Sequence, residues 1–283
     1  MFSFPQGKSG GTVRLTRVFN ILKNTVRKKE HLFRSVFRFR RKLFRPVRQR
    51  LFFEGLLPEG FTRRTVAQWM HADERDYLSI LHGLGRDCLG AICITEDGEA
   101  VKGSYEKISE SQVRELAAEG ASKSAEMVTK AHLSLTGASG KVGLYYDAPH
   151  DAWYLPRGTA PSTHIVKQSH VRLDGIVTNE KLSLMTAAHC GLYTPDSFII
   201  NTGHGEEHEV LFATKRYDRL FSLDRREDNG LPIPYRLHQE NFAQAMGISA
   251  AEKYERADVG YIDSTCFLLP RLLQTMGKRR ASV

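Results

Sequence analysis

The residues best suited to chemistry lie between positions 133 and 180. Leu133-Ser134-Leu135-Thr136-Gly137-Ala138-Ser139-Gly140-Lys141 is a run of small residues closed by a lysine. Small side chains let backbone amides approach phosphate oxygens, and a lysine neutralises their charge. The run is not a G-x-x-x-x-G-K-[ST] phosphate loop, because Leu135 and Val142 stand where Gly and Ser or Thr are needed. It also departs from the G-x-G-x-x-G loop of ordinary protein kinases. Further on, Thr163-His164-Ile165-Val166-Lys167 is an apolar strand pattern ending in lysine, where a kinase places its phosphate-pairing lysine. Asn179-Glu180 then opens a helical pattern. The Glu180 carboxylate is placed either to pair with Lys167 or to complement the helix dipole. Each feature alone also has a purely structural reading; their order is what points to phosphate handling.

Positioning these groups requires a sheet with a helix inserted in it. From Ala131 onward the pattern is mostly β, with strands expected at 132–136, 142–146, 152–155, 163–167, 197–201 and 209–217. A helix fits 178–190 and is stopped by Gly191; a shorter one fits 239–247 and ends at Gly247. Upstream, 61–84 read as helices, 89–94 as a short strand, and 106–119 as a helix with Ser109 as N-cap.

Net charge divides the chain. The whole carries +9, but residues 1–50 hold 15 Lys and Arg against the single acid Glu30. The rest is therefore mildly acidic. Such an arm attracts phosphate backbones in a salt-sensitive way, or is simply a solvated or disordered extension. The cysteines, Cys88, Cys93, Cys190 and Cys266, form no C-x-x-C pair, which argues against a metal framework and fits a reducing compartment. No stretch approaches the length of a membrane-spanning helix.

Other motifs are more specific. Phe52-Phe53-Glu54-Gly55-Leu56-Leu57-Pro58-Glu59-Gly60 and Gly85-Arg86-Asp87-Cys88-Leu89-Gly90-Ala91 precede the loop; Lys215-Arg216-Tyr217-Asp218-Arg219, Arg236-Leu237-His238-Gln239-Glu240 and Lys253-Tyr254-Glu255 follow it. Together with 134–141 and 163–167, in this order, they resemble HipA-like serine/threonine kinase toxins of type II toxin–antitoxin modules. The resemblance implies an α+β fold: a protein-kinase-like N-lobe preceded by a small α/β N-terminal subdomain. It divides the chain into a basic arm (1–50), that subdomain (51–125), an ATP-binding lobe (126–255) and a divergent tail (256–283).

The resemblance also implies roles. Ser134 is the expected autophosphorylation site. Gly137, Ala138, Ser139 and Lys141 are expected to cover the phosphates of ATP, which is used with Mg2+. Lys167 is expected to pair with Glu180, and the backbone of Lys215 and Tyr217 to contact adenine as the hinge. The family usually has Glu where this chain has Lys215. Expected partners are a HipB-like helix-turn-helix antitoxin, operator DNA through it, and a protein substrate such as an aminoacyl-tRNA synthetase, all in the cytoplasm.

The family's D-x-H-x-K-N motif does not occur. Asp224-Arg225-Arg226-Glu227-Asp228-Asn229 imitates a catalytic loop's spacing but reads as a surface loop. The expectation is an incomplete or inactive kinase, with the C-lobe largely absent or supplied by a companion chain and no catalytic residue identified. A catalytically dead nucleotide- or antitoxin-binding module and a nucleic-acid binder acting through the arm are the alternatives.

Overall fold

Continuous runs of buried residues at 142–145 and 210–213 show a sheet covered on both faces. The sheet has six strands, β1 (Ser104–Lys107), β2 (Lys141–Asp147), β3 (Ala152–Arg157), β4 (His164–Gln168), β5 (Ser197–Asn201) and β6 (Val210–Lys215), in the order β1-β3-β2-β4-β6-β5. All its pairings are antiparallel. The computed structural model describes residues 46–94, 102–119, 121–135, 140–168, 175–222, 227–249 and 253.

Along β6, Leu211 and Ala213 enter the main core, while Val210 and Phe212 join Val177 and Leu184 on the opposite side. Along β2, Val142 and Leu144 enter the main core, while Tyr145 packs with Tyr105, Ala160 and Leu231. This is the two-residue period of a strand buried on both faces.

Helices α1 (Pro46–Glu54), α2 (Gly60–Trp69), α3 (Tyr77–Leu84), α4 (Glu110–Glu119) and α5 (Ala121–Ala131) surround the main core, to which Val66, Ile80, Leu84, Leu116 and Val128 contribute. Helix α6 (Ile176–His189) covers the other face beside β4, β5 and β6. After β6 come four two-residue strands, β7 (Arg219–Leu220), β8 (Glu227–Asp228), β9 (Leu231–Pro232) and β10 (Tyr235–Arg236), and helix α7 (Phe242–Met246). Strand β10 pairs with β7, and β8 with β9.

Most expected elements are present: α2 and α3, the four strands β2 to β5, and α6, which ends before Gly191 at φ 77°. Ser109 caps α4 reciprocally, its hydroxyl accepting from the Gln112 amide and its own amide donating to the Gln112 side chain.

Two local expectations are corrected, and one helix is present where none was expected. Residues 89–94 form no strand, because Gly90 turns the chain at φ +68° and the Ile94 amide returns to the Gly85 carbonyl. Residues 132–135 form only a parallel bridge between Leu133 and Asp87. Helix α5 was not expected; its apolar stripe is Ala125, Val128 and Ala131, too small to stand out in the sequence. Helix α1 runs through Leu51, where composition changes. Residues 1–45 and 254–283 lie outside the described residues, and with them nearly all of the basic arm and the whole tail.

Candidate functional site

Two lysines end adjacent strands of the sheet. Lys141 opens β2 and is the register partner of Lys167 near the end of β4. Antiparallel register partners carry their side chains on the same face, with Cβ atoms about 5 Å apart. Glu180, in the second turn of α6, meets this pair from above. Lys167 Nζ donates to both Glu180 oxygens, at 2.7 and 2.8 Å. The ammonium also lies 5.8 Å from the centroid of the Phe212 ring, a cation–π distance.

Of the two readings open for Glu180, the structure shows the ion pair. Gly175, at φ 76°, lets the chain turn into α6, and its amide is anchored by the Glu207 carboxylate at 2.8 Å.

Burial lowers the Lys141 pKa, and the neighbouring Lys167 charge lowers it further; Glu180 and Glu59 oppose them, and the result is about 8. A cation held at such a position favours an anion as its neighbour. Lys253 reaches the same region from the end of the described chain, its Nζ 2.9 Å from Glu59 Oε1.

The stretch leading into the loop is tightly held. Ser134 is fully buried; its hydroxyl donates to the Leu56 carbonyl at 2.6 Å and its amide to the Asp87 carbonyl at 3.0 Å. In this arrangement the Ser134 hydroxyl faces protein and must leave its site before it can accept a phosphoryl group. Gly137, Ala138 and Ser139 lie outside the described residues.

Lys215 and Tyr217 sit at the far end of the sheet from the lysine pair. Lys215 is the register partner of His164, three residues before Lys167, or ~10 Å along the strand. The Lys215 amide donates to the Asp196 carbonyl, and its ammonium lies 3.5 Å from the Asp196 carboxylate. Tyr217 is 68% exposed. At this end a cavity of about 830 Å³ opens, lined by Tyr145, Tyr154, His164, Lys215, Arg216 and Leu231 among others. The lysine pair does not line it. A mostly apolar cleft of this size with a few polar groups suits a small-molecule ring.

Beneath this end lies a buried charge cluster whose role the sequence did not reveal. Asp87, Arg216, Asp218 and Arg219 are each under 10% exposed. Arg216 forks onto Asp218 through Nε at 2.9 Å and Nη2 at 2.7 Å. Arg219 donates to Asp87 at 2.9 Å, and Arg236 donates to the same oxygen at 3.0 Å. Burial by itself would raise the Asp87 pKa, but the charges of Arg219, Arg236 and Arg216 together hold it far below the carboxylate range. The signal in the sequence is slight: Asp87 stands among the small and apolar residues of 85–91, whereas Arg216, Asp218, Arg219 and Arg236 stand in charged and polar motifs. Leu220, Phe221 and Leu237, next to the cluster, are exposed.

Comparison with known proteins now decides the family. Residues 133–280 match the HipA-like C-terminal domain, and residues 19–95 match the HipA N-terminal domain. The chain belongs to the HipA-like family. A curated relative from Sinorhizobium fredii, "Putative kinase Y4mE", is 30% identical over 232 residues, covering 78% of this chain and 51% of the relative. A second from the same organism, "Putative kinase Y4dM", is 25% identical over 218 residues, 73% of this chain and 47% of the relative. This HipA-like chain thus spans about half the length of the curated relatives it matches. Its fold is also similar to a chain in the Shewanella oneidensis MR-1 complex of HipA, HipB and operator DNA. The TM-score is 0.56 and the identity 22%, over 74% of this chain and 46% of that one.

The described residues include no helix long and apolar enough to cross a membrane. Among them, no group of three His, Cys, Asp or Glu side chains could hold a metal ion.

Proposed function

We propose that this chain is the nucleotide-binding half of a HipA-type serine/threonine kinase toxin, built like a protein-kinase N-lobe. The observation that carries the reading is the two-pronged Lys167–Glu180 ion pair with Lys141 beside it, in a chain of this family. Glu180 fixes the Lys167 ammonium against the sheet, so that its remaining hydrogen-bonding capacity and the Lys141 charge are directed at phosphate oxygens. The base is assigned to the cavity at the other end of the strands, which Lys215 and Arg216 line, with Tyr217 next along the chain. The ~10 Å between these points suits a nucleotide lying along β4. Magnesium is commonly held by one or two carboxylates and the phosphates themselves. The described residues offer no larger ligand cluster.

Phosphoryl transfer needs a carboxylate to position the accepting hydroxyl. No D-x-H-x-K-N segment occurs in these 283 residues, so that group is assigned outside them, and the exposed Leu220, Phe221 and Leu237 are the surface offered to whatever carries it. The Shewanella relative was solved with HipB and operator DNA. An antitoxin of that kind, and DNA through it, are the proposed partners here, in the cytoplasm. The protein substrate, by resemblance, is a translation factor such as an aminoacyl-tRNA synthetase.

The test uses the purified chain with a fluorescent ATP analogue, and then with γ-labelled ATP and magnesium. Saturable binding without label on the protein is expected. Absence of binding overturns the nucleotide reading. Label on wild type that disappears in Ser134→Ala overturns the assignment of catalysis to a group outside these 283 residues.

A pH dependence follows from the lysine pair. A bound anion favours protonated Lys141, whose pKa is held at about 8 by burial and then by Lys167. Affinity for inorganic tripolyphosphate is therefore expected to fall as pH rises through about 8, and Lys141→Met should remove that limb. A flat profile between pH 7 and 9 in wild type would separate Lys141 from the phosphate site.

A further inference from the structure

The buried cluster is more elaborate than packing requires. Buried ion groups are poor stabilisers in general, and apolar residues of equal volume often serve as well or better. What apolar side chains cannot provide is direction, since each hydrogen bond fixes an orientation.

The directions here converge on the two ends of the candidate nucleotide site. Arg216 and Asp218 flank Tyr217, and both turn inward onto each other at 2.7 and 2.9 Å. That leaves Tyr217 at the apex, exposed. The Arg216 amide donates to the Thr163 carbonyl at 2.9 Å, and the Asp218 carbonyl accepts from the Leu237 amide at 2.9 Å. Asp218 Oδ2 also accepts from the Gly90 amide at 2.8 Å and from Gln239 at 3.1 Å. Glycine is required at 90, where a Cβ would come within 2.7 Å of the Gln239 backbone nitrogen.

Asp87 stands at the centre. One carboxylate oxygen accepts from Arg219 and Arg236, and the other from the Ser162 amide at 3.1 Å and hydroxyl at 2.8 Å. The Ser162 hydroxyl in turn accepts from Arg216 Nη1 at 3.0 Å. At the same residue, the backbone carbonyl accepts from the Ser134 amide at 3.0 Å. One residue from the helical N-terminal part thus touches the entry to the small-residue loop through its backbone and the hinge segment through its carboxylate. It is 132 positions from Arg219 and 149 from Arg236.

We propose that Asp87 is a positioning residue that sets the hinge backbone against the base, so that recognition of the base depends on the N-terminal helical part of the chain. This rests on the nucleotide-binding reading above. Ser162 is the relay, joining Asp87 to Arg216 with a single hydroxyl.

Calorimetric titration of wild type, Asp87→Asn and Ser162→Ala with ATP, and separately with inorganic tripolyphosphate, tests the proposal. Tripolyphosphate has no base and reads the lysine pair alone. In both variants ATP affinity should fall roughly tenfold, with tripolyphosphate affinity unchanged. Ser162→Ala removes no charge and carries the test if Asp87→Asn fails to fold by circular dichroism. A folded variant that keeps its ATP affinity, or loses both affinities equally, overturns the proposal and leaves the nucleotide reading standing. Wild type that binds tripolyphosphate but not ATP, or binds neither, removes the nucleotide reading and this proposal with it.

Discussion

Replacing Lys167 with methionine is expected to weaken ATP binding by roughly ten- to a hundredfold while barely changing stability. A hydrogen bond to a charged group is worth about 1.5–3 kcal/mol, and each factor of ten in affinity corresponds to about 1.4 kcal/mol. The Lys167 and Glu180 side chains are 21% and 32% exposed, so solvent screens the pair. Breaking such a pair costs folding at most about 1 kcal/mol, and the methionine retains contact with Phe212. Binding and folding therefore separate in this variant. Glu180→Gln leaves the ammonium in place but releases its orientation, and should give a smaller loss. Fluorescent-nucleotide titration beside urea unfolding measures both quantities. Unchanged ATP affinity in a folded Lys167→Met protein would take the lysine out of the site.

Asp87→Ala is expected to have the largest effect on stability. Removing one partner of a buried ion group leaves the others uncompensated, at a cost of about 3–5 kcal/mol. That is a large part of the ~5–15 kcal/mol that holds a domain folded. The urea midpoint should fall accordingly, and the variant should differ from wild type in its response to acid.

Two acid limbs are expected in wild type. The His164 pKa is lowered from 6.5 to about 4 by burial and then by the Lys215 charge. The unfolded chain therefore takes up the proton first, and stability declines as pH falls from 6.5 to about 4. Asp87 and Asp218 are held below their ordinary 3.8, because their arginine partners outweigh the cost of burial. Their contribution is complete above about pH 4 and is lost as pH falls below it. Asp87→Ala should flatten the lower limb and leave the upper one. An equal urea midpoint in the variant would show that the cluster does not hold the fold together, and an unchanged lower limb would place the acid sensitivity elsewhere.

The sequence by itself carried the local features. Lysine at the end of an apolar strand, glutamate in the first turns of a helix, Gly191 after it and Ser109 three residues before Gln112 are all short-range signals. Periodicity and capping express interactions within a few residues, so β2, β4, α4 and α6 were legible. The order of motifs was enough to place the chain with the HipA-like family, which the family matches bear out.

The tertiary structure decided what depends on distant residues. The apolar run at 89–94 could have extended as a strand, but Gly90 turns there because its amide is claimed by Asp218, 128 positions away. Helix α5 has a weak pattern of its own and is held by packing on α2 and β2. Asp87, Arg216, Arg219 and Arg236 stand in motifs that carry the family resemblance, but nothing in the sequence joins them to one another. Only the folded chain brings them from three separate stretches into one buried cluster, because an ion can be buried only where its partners are already assembled.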